Sequence, residues 1–174
     1  MGSTATLVSV EEYLRTSFQD GDREYVDGVI VGRNLGEKSH SKAQRQLILF
    51  FDALLRVHGT HAFPEQRVQV SPTRFRVPDV CVYLGGEPDE EVFNTPPFLV
   101  AEILSPDDRA SSVQEKIDDY LRFGVRFVWV IDPRLQRGWV HTAEGSREAK
   151  DGVLRTADPE IALPLAQLFN PPTS

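Results

Sequence analysis

Phe98-Leu99-Val100-Ala101-Glu102-Ile103-Leu104-Ser105-Pro106-Asp107-Asp108 opens the stretch that decides the fold, and Phe127-Val128-Trp129-Val130-Ile131-Asp132-Pro133 closes it. Both apolar runs are rich in β-branched and aromatic residues and bounded by Pro, so both read as strands. The punctuation between them is that of a helix. Ser105 takes the N-cap position, Pro106 the first helical position, and Asp107 and Asp108 the first turn. Ser105 and Asp108 also have capping-box spacing. Val113, Ile117, Tyr120 and Leu121 form an apolar stripe, and Gly124 supplies the stop. Strand, helix and strand with short joins make a βαβ unit. Residues 98–104 and 127–131 are therefore expected as parallel neighbours in one sheet, with residues 107–123 as a right-handed crossover.

Two acids stand inside apolar runs. One is Glu102. The other is Asp79, in Arg76-Val77-Pro78-Asp79-Val80-Cys81-Val82-Tyr83. A carboxylate in such a setting is costly unless paired or bound to a metal. Two of them on neighbouring strands point to a divalent cation with oxygen ligands. The plainer reading of either acid is a strand-end residue, solvated or paired with Arg. Phosphodiester hydrolysis needs an activated water and neutralised phosphate charge. A metal held by carboxylates supplies both, and a lysine helps polarise water or phosphate. The lysine expected two residues after Glu102 is replaced by Leu104, and Lys116 is the nearest candidate. Counted from Ser105, Glu102 lies roughly 10 Å down the strand and Lys116 roughly 16 Å back along the helix. With a short join the two come near one level. Lys116 sits at the border of the apolar stripe, from which its stem can reach inward. Its plainer reading is an ordinary flanking lysine.

Outward from this unit, residues 8–14 read as a short helix capped by Ser9. Asp27-Gly28 marks a hairpin, with Glu24 just before it, by itself a solvated edge residue. Residues 36–57 form the longest helical pattern, through Ala43, Leu47, Phe50, Phe51, Leu54 and Leu55, stopped by Gly59. His40 in its first turn reads as a capping or packing residue. Residues 62–70 and 74–83 are strand-like, joined at Ser71-Pro72-Thr73. Arg67, Arg74 and Arg76 form either phosphate contacts near the site or a solvated basic edge. The acidic loop 85–95 is placed to cover the site. After the βαβ unit come a strand over 138–141, a turn at Glu144-Gly145, Val153-Leu154, and a last apolar element over 161–169. With no repeats and no linker, residues 1–174 read as one domain.

The net charge of −7 and the pI of about 5.1 argue against non-specific polyanion binding, which needs Lys and Arg. A single cysteine, Cys81, excludes a disulfide framework and favours an intracellular, cytoplasmic setting. No apolar run reaches membrane-span length. The start Met1-Gly2-Ser3-Thr4-Ala5-Thr6 lacks the features of a signal peptide, and its match to a myristoylation pattern reads as chance.

Val77-Pro78-Asp79, Glu102-Ile103-Leu104-Ser105-Pro106, Lys116-Ile117-Asp118-Asp119-Tyr120, Gly124-Val125 and Trp129-Val130-Ile131-Asp132-Pro133 occur here in order. With Val10-Glu11-Glu12-Tyr13-Leu14, Glu24-Tyr25-Val26-Asp27-Gly28 and His40, this set resembles the Uma-two-type family. That family is a domain-of-unknown-function group similar to PD-(D/E)XK restriction endonucleases. The resemblance runs from about Val8 to Phe169. It implies an α/β restriction-endonuclease-like core with a mixed central β-sheet flanked by helices. It implies Asp79 and Glu102 as ligands of Mg²⁺ or Mn²⁺, Lys116 as a catalytic lysine moved onto the helix, and Glu24 as a further acid of the site. The leading function is then metal-dependent hydrolysis of DNA phosphodiesters. The competing one is a catalytically silent nuclease-like binding module, and a hydrolase of smaller phosphoesters is a third. By analogy with many endonuclease-like proteins, a homo-oligomer such as a dimer is expected.

Overall fold

The computed structural model describes residues 7–19, 21–34 and 36–171, so the Met1–Thr6 start lies outside the described residues. In chain order the elements begin with α1 (Val10–Arg15), the hairpin β1 (Glu24–Val26) and β2 (Val29–Val31), α2 (Lys38–Ala53) and α3 (Leu55–His58). Four strands follow: β3 (Thr60–Pro64), β4 (Val68–Ser71), β5 (Arg74–Arg76) and β6 (Val80–Leu84). Then come β7 (Leu99–Ile103), α4 (Ala110–Phe123), β8 (Phe127–Asp132), β9 (Arg137–Thr142) and β10 (Gly145–Glu148). The described chain closes with β11 (Val153–Arg155), β12 (Ala162–Pro164) and α5 (Leu165–Phe169).

The βαβ expectation holds. β7 and β8 are parallel, with Leu99 opposite Phe127 and Ile103 opposite Ile131. They sit at the centre of a six-stranded mixed sheet in the order β10-β9-β8-β7-β6-β3. Strand alternation divides its residues between two cores. Leu99, Ala101, Ile103, Trp129 and Ile131 share one with Ala43, Leu47 and Phe51 of α2. Val100, Val128 and Val130 share the other with Ile117 and Tyr120 of α4. Glu102 has the parity of Val100, so its side chain belongs to the α4 face.

A second sheet, β2-β1-β5-β4, was not expected from the sequence. The two long strand-like runs are each broken in two. The first breaks after Pro64, where Glu65 takes φ 50°, and the second around Pro78. The chain leaves the large sheet at the first break and returns at the second. A third, two-stranded sheet pairs β11 with β12. The Asp27-Gly28 hairpin forms as expected, with φ of 48° and 94° at its two turn residues. That geometry favours Gly at the second position. Its sheet packs on α1 through Tyr13, Tyr25 and Phe75.

Two boundaries and one loop differ from the sequence reading. The crossover helix starts at Ala110, not Pro106. The Ser105 N–H donates to Asp108 Oδ2 at 2.6 Å, and the Asp108 N–H donates to Ser105 O at 3.1 Å. Residues 105–108 thus close a turn of their own, and Arg109 is extended. The long helix breaks at Leu54, whose N–H donates to Phe51 O, so α3 is a separate turn. The acidic loop 85–95 does not cover the site. Phe93 ties it to Arg67 and Gln69 by two backbone bonds and packs edge-on against Phe63 and Tyr83. Gly124 does end α4, at φ 110°.

Candidate active site

α4 lies between the two sheets, and the site forms where it meets both. β6 and β7 are antiparallel with Val80 opposite Ala101, so one more step along that register sets Asp79 beside Glu102. In the small sheet, Tyr25 pairs with Phe75, and one step further sets Glu24 beside Arg76. Glu24, Asp79 and Glu102 are all buried, with 1%, 4% and 7% of their surfaces exposed. They line a cavity of about 560 Å³ together with Arg33, His40 and Lys116.

Lys116 reaches both sheets. Its Nζ lies 3.0 Å from Glu24 Oε1 and 3.3 Å from Glu102 Oε2. The helix position inferred from its level and its place on the stripe therefore delivers the ammonium to the acids. Burial opposes its charge, but Glu102 and Glu24 outweigh burial and hold its pKa above the usual lysine range. Glu24 is not a solvated edge residue. It accepts from Arg76 Nη1 at 2.9 Å and from the Val77 N–H at 3.2 Å. Burial pushes its carboxyl up, and Lys116 and Arg76 more than reverse this, so its pKa lies below normal.

Glu102 behaves differently. Burial pushes its pKa up to about 7, against Lys116, with Asp79 and Glu24 adding like-charge repulsion. Its Oε1 accepts from the Tyr120 hydroxyl at 2.6 Å. Asp79 is better supplied than Glu102. Its Oδ2 accepts from the Ile103 N–H at 2.7 Å, and its Oδ1 meets Arg33 Nη2 at 2.8 Å and His40 Nε2 at 3.2 Å. Burial again raises its pKa, but the His40 bond, the His40 and Arg33 charges and the Ile103 N–H hold it below normal. Burial likewise opposes charge on His40, and the bond and charge of Asp79 reverse this. His40 is thus a partner of Asp79, not a helix cap.

The arginines that precede Asp79 in sequence are committed elsewhere. Arg76, only 3% exposed, joins Glu24 to Asp119, with Nε 2.8 Å from Asp119 Oδ2. Arg74 joins Asp27, Glu115 and Asp119. Arg67 stacks over the Tyr13 ring. None forms a solvated basic edge, and Arg74 and Arg76 are not free for phosphate. The sequence reading missed Arg33, the Tyr120 hydroxyl and Asp119. Tyr120 had a legible signal, since it lies one helical turn beyond Lys116. Arg33 had none.

The donor set suits a hard cation. Asp79 and Glu102 offer carboxylate oxygens to the cavity, and their repulsion is what a divalent charge relieves. Mg²⁺ is commonly held by one or two carboxylates, with water and substrate oxygens completing the shell. Among the described residues no group of three or more His, Cys, Asp or Glu has metal-holding geometry, so a dedicated cage is not formed.

A mixed sheet flanked by helices, with acids and a lysine meeting at one cleft, defines the restriction-endonuclease-like class. The chain belongs to the Uma2 family, described as "Putative restriction endonuclease", which matches residues 10–168. Its fold is shared with a crystal structure described as "a putative nuclease belonging to DUF820" from Anabaena variabilis. That match has a TM-score of 0.80 and 23% identity, over 93% of this chain and 97% of the other. A comparison with curated proteins finds no match. Among the described residues no helix is long and apolar enough to cross a membrane.

Proposed function

We propose that this protein is a divalent-metal-dependent nuclease that hydrolyses DNA phosphodiester bonds at Asp79, Glu102, Lys116 and Glu24. The seat of Lys116 carries the reading: a partly buried ammonium shared by an acid from each sheet, at 3.0 and 3.3 Å. Such a buried ion arrangement is poor evidence of stabilisation, since apolar packing often does as well. It suits chemistry on a phosphate. Asp79 and Glu102 would hold Mg²⁺ or Mn²⁺, which when bound supplies Lewis-acid stabilisation and an acidified water. The Ile103 N–H and His40 orient Asp79, and Tyr120 orients Glu102. Glu24 keeps Lys116 charged and turned toward Glu102. The Lys116 charge would then offset negative charge developing on a phosphate oxygen.

Plasmid nicking tests this. Wild type is expected to nick DNA with Mg²⁺ or Mn²⁺ and to stop with EDTA. Asp79→Asn and Glu102→Ala should lose cleavage and metal binding together. Lys116→Ala should lose cleavage and keep metal binding. One observation favours the silent binding module: Asp79 and Glu102 are already matched by Arg33, His40 and Lys116. No metal binding, with no cleavage of duplex or single-stranded DNA, would establish that alternative.

A further inference from the structure

Arg33 stands in the cleft in a way that the proposed chemistry does not use. It lies in the segment between β2 and α2, and its side chain is 18% exposed. Its guanidinium is forked between two acids. Nη2 lies 2.8 Å from Asp79 Oδ1, and Nη1 lies 3.4 Å from Glu65 Oε1. The two acids differ in setting. The Asp79 side chain is 6% exposed, and that of Glu65 is 54% exposed. Glu65 is held close to Asp79 by the backbone, since its N–H donates to Asp79 O at 3.2 Å. Burial opposes charge on Arg33, and Asp79, Glu102, Glu65 and Glu24 together outweigh it. Three of those four are acids of the candidate site.

Arg33 therefore supplies Asp79 with a positive charge of the protein's own. We propose that Arg33 is a resident counter-cation that competes with the divalent metal for Asp79, and that metal binding moves its guanidinium onto Glu65. The inference rests on the reading of Asp79 and Glu102 as the metal ligands. Its physical basis is simple. A guanidinium and a metal ion near one carboxylate repel each other, and they repel most strongly where water is scarce. Arg33 cannot lose its charge by deprotonation at ordinary pH, so it must move. Glu65, already within reach and open to solvent, receives it. The metal-free protein thereby avoids a buried, repelling pair of acids, at the expense of metal affinity.

Calorimetric titration with Mn²⁺ alone, on the full chain at low ionic strength, tests this without cleavage. Arg33→Ala is expected to bind Mn²⁺ at least about tenfold more tightly than wild type, equivalent to about 1.4 kcal/mol. Arg33→Gln, which keeps a donor to Asp79 without the charge, should tighten in the same way and serves if alanine does not fold. A merely structural ion pair predicts the opposite: a less stable protein with unchanged or weaker Mn²⁺ binding. That result, in folded variants with wild-type binding abolished by Asp79→Asn, overturns the role of Arg33 and leaves the metal site standing. Mn²⁺ binding by Arg33→Ala alone supports the proposal in its strongest form. No Asp79-dependent binding in any of these proteins overturns the metal-site reading and this inference with it.

Discussion

Glu102 and Asp79 are neighbours with opposite pKa shifts, because their hydrogen-bond supply differs. Asp79 has three donors, the Ile103 N–H, the Arg33 guanidinium and the His40 imidazole. Glu102 has Tyr120 at 2.6 Å and a shared Lys116 at 3.3 Å. Its pKa of about 7 lies above the ordinary 4.5. In the metal-free protein the unfolded chain therefore releases this proton first. Between those values the folded state binds more protons, so stability falls as pH rises. Protonated Glu102 contributes fully below the lower value, and that contribution is gone above the upper one. Urea denaturation in EDTA from about pH 4 to 8 should show this slope in wild type, and subtracting the Glu102→Gln curve isolates it. Tyr120→Phe removes the shortest bond to Glu102. A buried polar group left without its partner gives an expected cost of about 1–3 kcal/mol in the same assay.

At the scale of elements, α4 decides the site because it serves two sheets. Its Tyr120 turns to the large sheet, its Asp119 to the small one, and its Lys116 touches an acid from each. Asp119 is the tie that seats the helix on β5, through Arg76 and Arg74. Asp119→Ala would leave the buried Arg76 with Glu24 at 2.9 Å and the more distant Glu115 at 3.5 Å. Breaking a buried ion pair from one side costs about 3–5 kcal/mol, and denaturant midpoints should show a loss of that order. Mn²⁺ affinity should also fall, since Lys116 and Glu24 lose their fixed spacing. A stable Asp119→Ala protein would mean that Glu115 and the apolar stripe suffice to seat α4.

For the whole molecule, the net charge of −7 sets the conditions for any DNA contact. Phosphate binding by such a chain needs local cations, and the arginines of β5 are already paired. A cation that binds only the folded state raises apparent stability by about 2.7 kcal/mol at a hundredfold excess over its Kd. Millimolar Mn²⁺ or Mg²⁺ at low ionic strength should therefore raise the Tm of wild type. Glu102→Ala should abolish that rise, read against the metal-free Tm of the variant itself. DNA affinity should need the same metal and should fall with added salt, which gel shifts with and without EDTA would show.

What the sequence by itself determined is local and periodic. The parallel pair of β7 and β8, the stripe of α4, its stop at Gly124 and the turn at Asp27-Gly28 all follow from spacing within one element and its flanks. Asp79 and Glu102 were legible because a carboxylate inside an apolar run is a local anomaly. Lys116 was legible because strand rise and helix rise fix its level. Only the tertiary structure decided the rest. It split the arginine-bearing strands into a second sheet, and so buried Glu24 against Arg76 across 52 residues of chain. It brought Arg33 to Asp79 across 46 residues. Burial and ion pairing depend on which segments meet, and no window of sequence contains both partners. A charged residue that looks solvated in the chain becomes a site residue when a distant strand removes its water.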